Sequence, residues 1–155
     1  MKQYAFDDIE GLQALVSEEF GPWSESFQIT QELINQFADL TGDHNWIHID
    51  EERSKKEGPF GTTIAHGFMT LVMMPRLRGE PTFELTGYNA IVNYGSNKLR
   101  FTGPVPAGSS IRMRSRVKEV TQSPKGTIVT QEQHIHIEGQ DERPVVIYEL
   151  IIIYM

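Results

Sequence analysis

Cysteine is absent from the 155-residue sequence, which excludes disulfide bonds, thiolate catalysis and thiolate metal sites. No stretch approaches the roughly 20 consecutive apolar residues that a membrane-spanning helix requires, so we expect no membrane partner. The first residues include acidic side chains where a secretory signal peptide would have its apolar segment. Internal repeats and low-complexity segments are also lacking. These absences predict a cytoplasmic globular protein.

Length and composition indicate one folded unit. A chain of 155 residues can bury a hydrophobic core but is too short for two domains of ordinary size. Its 39% hydrophobic and 23% charged residues are typical of a globular protein rather than a disordered one. We therefore expect a single domain over residues 1–155.

Charge is distributed unevenly along the chain. The net charge of −7 argues against a nucleic-acid partner. Residues 98–118 nevertheless contain no acidic side chain and six basic ones, which are Lys98, Arg100, Arg112, Arg114, Arg116 and Lys118. A local cationic field within an acidic protein can attract a polyanionic ligand.

The N-terminal half shows three helical patterns. Residues 7–19 place apolar side chains on one face and carboxylates at the start. A second helix is predicted to begin after the N-cap Thr30 and to end at Gly42; its apolar stripe consists of Leu33, Ile34, Phe37 and Leu40. Residues 64–77 are apolar on nearly every face, which predicts a helix buried on all sides and ended or bent near Pro75.

The C-terminal half is predicted to form strands. Five stretches rich in β-branched or aromatic residues are separated by turn signals, and they cover residues 88–94, 98–101, 110–120, 127–137 and 145–154. In the third stretch apolar and basic residues alternate, which predicts one buried and one cationic face. Helices followed by a long antiparallel run indicate an α+β domain in which a sheet wraps one apolar helix.

The segment after the second helix carries the densest group of reactive side chains. Residues 43–65 are predicted to be mainly loop, with one exposed turn near residues 50–56, and Asp43, Asn45 and His48 lie at its start. A carboxylate and an imidazole within six residues can act as an acid/base pair, and the amide of Asn45 could fix a water molecule or the loop. From the residues alone, the alternative that Asp43 only caps the loop remains equally open.

Three blocks of the sequence resemble one enzyme family. Residues 37–48, FADLTGDHNWIH, are similar to the hydratase-2 signature, in which an aromatic residue precedes Gly-Asp-x-Asn-x-x-His. Residues 60–71 resemble the entry to the central helix of this family, and residues 92–108 resemble part of its sheet. The sequence is therefore similar to MaoC-like dehydratases and (R)-specific enoyl-CoA hydratases, and most similar to the branch that includes nodulation protein N.

The resemblance implies a hot-dog fold, in which a curved antiparallel sheet wraps a long central helix, and it implies a homodimer. The implied activity is (R)-specific hydration of trans-2-enoyl thioesters, such as enoyl-CoA, or the reverse dehydration. No separate cofactor is expected, because coenzyme A enters as part of the substrate. Asp43 and His48 would hold and activate the catalytic water, and one of them would return a proton to Cα.

Two further residues receive roles at the start of the predicted buried helix. The resemblance implies that Gly67 donates its backbone N–H to the thioester oxygen. Independently, backbone N–H groups near a helix start lack partners and favour negative charge. His66, which precedes Gly67 at the substrate site, is expected to anchor the loop through backbone hydrogen bonds.

The sequence departs from the family pattern at two positions. Trp46 follows the motif asparagine, where the family usually has proline, and we expect it to reshape the acyl entrance of the substrate site. Pro75 replaces a hydroxyl residue that many hydratases have on the central helix, and proline cannot make the side-chain hydrogen bond of that hydroxyl group.

Other histidines have simpler interpretations than metal binding. His44 and His48 are four residues apart beside Asp43. The glutamate of an HExxH metal site is absent and no third zinc ligand is evident, so no metal is predicted. His134 and His136 share one face of a strand and are expected to form a solvated or interface pair.

The basic cluster divides into two predicted parts. Arg112, Arg114 and Arg116 are expected to lie on an exposed sheet face. Lys98 and Arg100 are expected to bind the phosphates of coenzyme A, since lysine and arginine suit phosphate recognition.

Three functions remain open from the sequence. The first is the hydratase/dehydratase, for which Asp43, Asn45, His48 and Gly67 are all present. The second is an acyl-CoA thioesterase on the same fold, which would release free thiol. The third is a non-catalytic acyl-thioester-binding accessory protein, which would bind without turnover. The fold alone does not separate them, because function depends on the site.

Overall fold

The structure is a computed structural model that describes residues 1–155. The elements, in chain order, are β1 (Lys2–Ala5), α1 (Ile9–Gln13), β2 (Phe27–Gln28), α2 (Gln31–Thr41), α3 (Trp46–Ile49), α4 (Glu51–Glu57), α5 (Gly67–Val72), β3 (Phe83–Thr86), β4 (Ile91–Phe101), β5 (Ser110–Ser123), β6 (Gly126–Ile137) and β7 (Val146–Tyr154). None of these helices combines the length and apolar character that a membrane span needs.

An antiparallel sheet of five strands forms the body of the protein, with the strand order β2-β5-β6-β7-β4. A separate parallel pair joins β1 to β3. Helices come mainly before the long strands, as the sequence predicts, so the α+β class is confirmed. The order leaves one side of β4 unpaired at the edge of the sheet.

The alternation in β5 is confirmed on its inner face, where Ile111, Met113 and Val117 are buried. Ile111 and Met113 join the main core with residues from β6, β7 and α5, including Ile135, Val146 and Met69. Because successive side chains of a strand point to opposite faces, the basic residues of β5 lie on the outer face.

The predicted break between residues 94 and 98 is wrong, because β4 is one continuous strand from Ile91 to Phe101. Two register shifts against β7 occur, between Asn93 and Gly95 and between Ser96 and Lys98. Bulges of this kind accommodate extra residues without reversing the chain. Gly95 therefore lies at an irregularity within β4 and not in a turn.

Helix α2 agrees with the sequence prediction at both ends. The Thr30 hydroxyl accepts a hydrogen bond from the Leu33 N–H, and Gly42 ends the helix with a left-handed φ of 78°. The predicted stripe is only partly correct, because Ile34 is buried whereas Leu40 is 83% exposed.

Two other predicted segments differ from the structure. The helix expected over residues 7–19 is limited to α1, because the chain then joins the sheet, where the Ser17 N–H donates to the Val117 carbonyl. The segment 43–65, predicted to be mainly loop with one exposed turn near residues 50–56, contains α4 at that turn and also α3, which was not predicted. Their N-caps Asn45 and Asp50 accept backbone hydrogen bonds through their side chains.

The central helix is shorter than the predicted span of residues 64–77. Helix α5 covers Gly67–Val72 and continues as turns to Leu77. Met69 and Leu71 face the core, whereas Phe68 and Val72 are 62% and 55% exposed. The prediction of a helix buried on all sides is therefore wrong for the single chain.

The outer face of β5 is covered rather than exposed, which corrects the prediction for Arg112, Arg114 and Arg116. The N-terminal arm, residues 17–24, crosses this face, and the Gly21 and Ser24 N–H groups donate to carbonyls of β5. The arginines contact its aromatic rings, and the Arg114 guanidinium lies 5.0 Å from the Phe20 ring and 4.6 Å from the Trp23 ring.

The same arm buries the histidine pair of β6, so His134 and His136 are not solvated as predicted. The ring of His134 lies 4.4 Å from that of Phe20, and the ring of His136 lies 4.9 Å from that of Trp23. Burial lowers the pKa of both histidines below the ordinary value. Sequence alternation alone could not show this arm folding back over the strand.

Candidate active site

Asp43 lies at the surface directly after the left-handed turn at Gly42. Its side chain is 56% exposed, and its carboxylate oxygen Oδ1 accepts a hydrogen bond from the Asn45 N–H at 3.3 Å. Asn45 in turn accepts from the Ile47 N–H at 3.3 Å and caps α3. Asp43 therefore does cap the loop, and its carboxylate still lines a cavity.

His48 is buried at the end of α3, with 8% of its surface exposed. Its Nδ1 lies 2.7 Å from the Ile64 carbonyl oxygen, and since a carbonyl only accepts, we assign the proton to Nδ1. The Nε2 atom then carries a free lone pair. Burial lowers the pKa of His48, which favours the neutral ring that a general base requires.

The backbone of His48 is held by α2. The Gln31 side-chain amide donates to the His48 carbonyl at 2.7 Å, and the Gln31 side-chain oxygen accepts from the Thr63 hydroxyl. The Gln31 side chain, at the start of α2, thus links His48 to the segment that leads into α5.

His66 contacts both Asp43 and His48. Its Nε2 lies 2.9 Å from the Asp43 carbonyl oxygen and 3.9 Å from the carboxylate oxygen Oδ2. Its ring stacks on that of His48, with centroids 3.8 Å apart and planes at 25°. The predicted loop anchor is therefore present as a hydrogen bond to the backbone.

Gly67 is the first residue of α5, and the N-cap His66 makes no side-chain capping bond to it. A Cβ atom added at Gly67 would lie 3.1 Å from the Phe101 ring. The missing side chain thus lets Phe101 pack directly against the backbone that would bind the thioester oxygen.

Two cavities meet at His48 and Gly67, which line both. The smaller, of about 280 Å³, also contains Asp43 and His66. The larger, of about 310 Å³, has walls that include Phe60, Phe101, Val105 and Val145. The first can hold polar reacting atoms and the second an apolar chain.

A metal centre does not fit this geometry well. Ligand atoms of Asp43, His48 and His66 lie within 4.8 Å of one another. The two imidazoles are stacked, however, so their in-plane lone pairs lie in nearly parallel planes. One nitrogen of each ring, Nδ1 of His48 and Nε2 of His66, is also already bonded to a backbone carbonyl.

Three of the predicted substrate-site residues lie outside both cavities. Trp46 contacts the guanidinium of Arg53, 4.3 Å from its ring centre. Lys98 and Arg100 are exposed on β4, on the strand face opposite Phe101, which lines the larger cavity. Neither forms an ion pair within this chain, whereas Arg112, Arg116 and Lys118 do.

Several functional positions gave little sequence signal. Phe60 and Phe101 are cavity walls, and Phe37 packs on His66 with ring centres 5.0 Å apart. All three fall within the blocks that carry the family resemblance, but nothing in their spacing indicates that their rings meet the site.

Comparison with known proteins identifies the family. The model of the MaoC-like domain matches residues 21–140. A 3-hydroxyacyl-thioester dehydratase Z from Mycobacterium tuberculosis is 44% identical, with 97% of each chain covered. Nodulation protein N from Rhizobium meliloti is 40% identical, with 68% of this chain and 65% of the relative covered.

Solved structures show the same fold. The unliganded R-hydratase PhaJ1 from Pseudomonas aeruginosa superposes with a TM-score of 0.67 at 25% identity, covering 88% of this chain and 81% of that one. A MaoC-like dehydratase from Rhodospirillum rubrum gives a TM-score of 0.70 at 21% identity, with 90% and 92% covered. The fold is the hot-dog fold, and the chain belongs to the MaoC-like dehydratase family.

Proposed function

We propose that this protein is a hydro-lyase that adds water to trans-2-enoyl thioesters, giving (3R)-3-hydroxyacyl thioesters, or performs the reverse dehydration. One observation carries the proposal. Asp43, His48 and Gly67 line one small cavity, and that cavity meets an apolar one at His48 and Gly67. The similarity to a protein named 3-hydroxyacyl-thioester dehydratase supports the same reaction class.

We propose a separate task for each of these groups. The free Nε2 of His48 accepts a proton from a water molecule that the Asp43 carboxylate holds, while the water oxygen bonds to Cβ. Electrons of the double bond move toward the thioester oxygen, to which the Gly67 N–H donates. The protonated His48 then returns this proton to Cα, directly or through the Asp43 carboxylate, which completes the addition of one water. A single donor of this kind is typically worth about 3 to 4 kcal/mol in the transition state.

The larger cavity supports an apolar acyl chain as the substrate portion beyond the reacting carbons. Its aromatic and aliphatic walls, including Phe60, Phe101 and Val145, would exclude water from the chain. Small-molecule sites are commonly mostly apolar with a few polar groups at defined positions.

We also propose coenzyme A as the carrier, with Lys98 and Arg100 as phosphate ligands. The support is that both are exposed on β4 and unpaired with any acidic side chain of this chain. Both residues lie outside the two cavities, so the carrier would extend along the face of β4 that carries them.

Charge reversal tests this carrier proposal. The double variant Lys98→Glu/Arg100→Glu should raise KM for crotonyl-CoA about tenfold or more, because each lost charge-assisted contact costs about 1.5 to 3 kcal/mol. KM for crotonyl-N-acetylcysteamine, which has no phosphates, should stay unchanged. Equal losses for both substrates would remove these residues from carrier binding.

The activity itself is tested with crotonyl-CoA and longer trans-2-enoyl-CoAs. Hydration removes the conjugated enoyl absorbance, and an (R)-specific 3-hydroxyacyl-CoA dehydrogenase reports the product's configuration. Release of free thiol would instead favour the thioesterase, and tight binding without turnover would favour the accessory protein. We expect hydration to the (3R) product without thiol release.

A further inference from the structure

His66 contacts both members of the proposed acid/base pair, yet the hydration steps do not use it. We propose that His66 is a positioning residue that fixes Asp43 and His48 relative to each other through two different contacts. This inference rests on the proposed function, because it concerns the geometry of that acid/base pair.

The first contact ties down the backbone of Asp43. The remaining hydrogen bonds of Asp43 reach only two residues along the chain, to the Thr41 hydroxyl and the Asn45 N–H. The bond from the Nε2–H of His66 spans 23 residues and comes from the start of α5. It is therefore the hydrogen bond that places the exposed carboxylate relative to the core.

This bond identifies the donor atom of His66. The Asp43 carbonyl can only accept, so Nε2 carries a proton. The Nδ1 atom of His66 is buried without a hydrogen-bond partner, and the whole residue is only 4% exposed. A buried ring whose Nε2–H is directed at the Asp43 backbone matches a structural clamp rather than a group that exchanges protons with substrate.

The second contact fixes the ring plane of His48. The rings of His66 and His48 stack at 3.8 Å, and Phe37 packs against His66 at 5.0 Å. Since Nδ1 of His48 is also bound to the Ile64 carbonyl, the stacked ring cannot turn and Nε2 keeps its direction. Phe37 belongs to α2, so the stack joins the end of that helix to the start of α5.

Both contacts converge on the residue before Gly67. The His66 carbonyl accepts hydrogen bonds from the Thr70 N–H at 3.1 Å and the Thr70 hydroxyl at 3.3 Å. The placement of His66 therefore also sets the peptide from which the Gly67 N–H projects. Misplacement of reacting groups by about 1 Å can cost about 100-fold in rate, so a residue that orients three of them should have a large effect.

Two variants separate the two contacts. His66→Gln retains a donor near the Nε2 position but removes the stacked ring, whereas His66→Phe retains a ring but removes the donor. His44→Gln is the matched control, because His44 directly follows Asp43 in the chain and its ring bonds only to the exposed Asp39 carboxylate.

The experiment measures kcat, KM and the pH dependence of kcat/KM with crotonyl-CoA, together with the unfolding midpoint of each variant. We expect kcat to fall about 100-fold in both variants, with KM changed less than about twofold and no change in His44→Gln. The titratable groups that face His48 are Asp43 and His66. In His66→Gln the acid limb, which reports the free-enzyme base, should move to higher pH because His48 gains access to water. In His66→Phe, which keeps His48 covered and removes only the electrostatic effect of His66, it should move less.

The outcomes separate this proposal from the proposed function. Wild-type kcat in both variants would overturn the positioning role. The positioning role would also be overturned if kcat fell in parallel with the unfolding midpoint while the acid limb of His66→Gln did not move. His66 would then have only a structural role. If the wild type itself has no turnover, the proposed function fails. In that case, carbon-13 NMR titration of the His48 ring still tests the contact between His66 and His48. A titration midpoint of His48 that is the same in the wild type and in His66→Gln would reject the positioning role.

Discussion

The absence of a side chain at Gly67 allows the Phe101 ring to lie against the first residue of α5. An added Cβ would sit 3.1 Å from that ring, closer than ordinary van der Waals contact. Phe101 is also a wall of the larger cavity. The absence of a side chain at Gly67 therefore affects both the proposed oxyanion donor and the entrance to the larger cavity.

We predict that Gly67→Ala reduces kcat/KM with crotonyl-CoA about tenfold or more and destabilises the fold by about 1 to 3 kcal/mol, the usual cost of overpacking. Adding Phe101→Leu should restore part of both. Enzyme kinetics and urea denaturation measure the effects. Gly79→Ala is the control, since a Cβ there meets no atom closer than 3.5 Å. Equal behaviour of the two alanine variants would show that the Phe101 contact is unimportant.

Residues close in sequence were easier to place than residues that meet through folding. The family resemblance, which rests on local sequence blocks, indicated Asp43, His48 and Gly67 as site residues, and these three line one cavity. The stacking of His66 on His48 joins residues from α5 and α3, and it depends on how those helices pack. No local pattern contains that information.

At the scale of elements, strand β4 is the most exposed long element of the protein. It pairs only with β7, and its outer edge has unpaired backbone groups. Ile91, Val92 and Tyr94 are 50%, 41% and 59% exposed, although long apolar edge strands are normally protected from association. On α5, the exposed Phe68 ring lies 5.3 Å from the ring of Phe101 at the end of β4.

We propose that a second copy of the chain covers this edge, as the homodimer implied by the family resemblance. Lys or Pro at an edge strand blocks pairing, so Val92→Lys/Tyr94→Lys should convert a dimer into a monomer in sedimentation velocity experiments. Leu40→Lys, at an 83% exposed site on α2, is the control and should remain dimeric. A monomeric wild type, or a dimer unaffected by the β4 substitutions, would contradict this assignment.

Strand boundaries show why element prediction succeeded only in part. Strands β5, β6 and β7 were predicted within a few residues, because alternation and turn residues are local signals. The parallel pair of β1 and β3 was missed, since it joins Lys2–Ala5 to Phe83–Thr86 across most of the chain. Short strands that depend on a distant partner have too few residues to show a period.

Across the whole molecule, three partly or fully buried histidines share one electrostatic property. Burial lowers the pKa of His48, His134 and His136 below the ordinary value of 6.5. The charged groups that face the pair on β6 include Glu132, which favours protonation of His134, and Arg114, which opposes protonation of both histidines.

We predict that the free energy of unfolding decreases as the pH is lowered from 8 to 5. Each of these histidines binds a proton more readily when unfolded, so its contribution is full above the unfolded pKa and is lost as the pH falls through the two pKa values. His44 has a raised pKa through its hydrogen bond to Asp39, but that pair is exposed and contributes little.

Urea denaturation at several pH values measures this dependence. His136→Asn, which keeps a donor near Nδ1, should flatten the slope between pH 8 and 5, whereas His44→Gln should not. An identical slope in wild type and His136→Asn would exclude His136 from acid destabilisation. The arm of residues 17–24 should become more accessible to proteases over the same range, because it covers both histidines of β6.

The central claim is that the protein adds water to an enoyl double bond, and isotope transfer tests it most directly. Crotonyl-CoA is incubated in ¹⁸O-enriched water, and the products are analysed by mass spectrometry. We predict one ¹⁸O atom at C3 of intact 3-hydroxybutyryl-CoA, formed about 100-fold or more slowly by Asp43→Asn and His48→Gln, in line with the loss of general acid–base catalysis. Label found in a free carboxylic acid with release of coenzyme A, or an undiminished rate in both variants, would contradict the account.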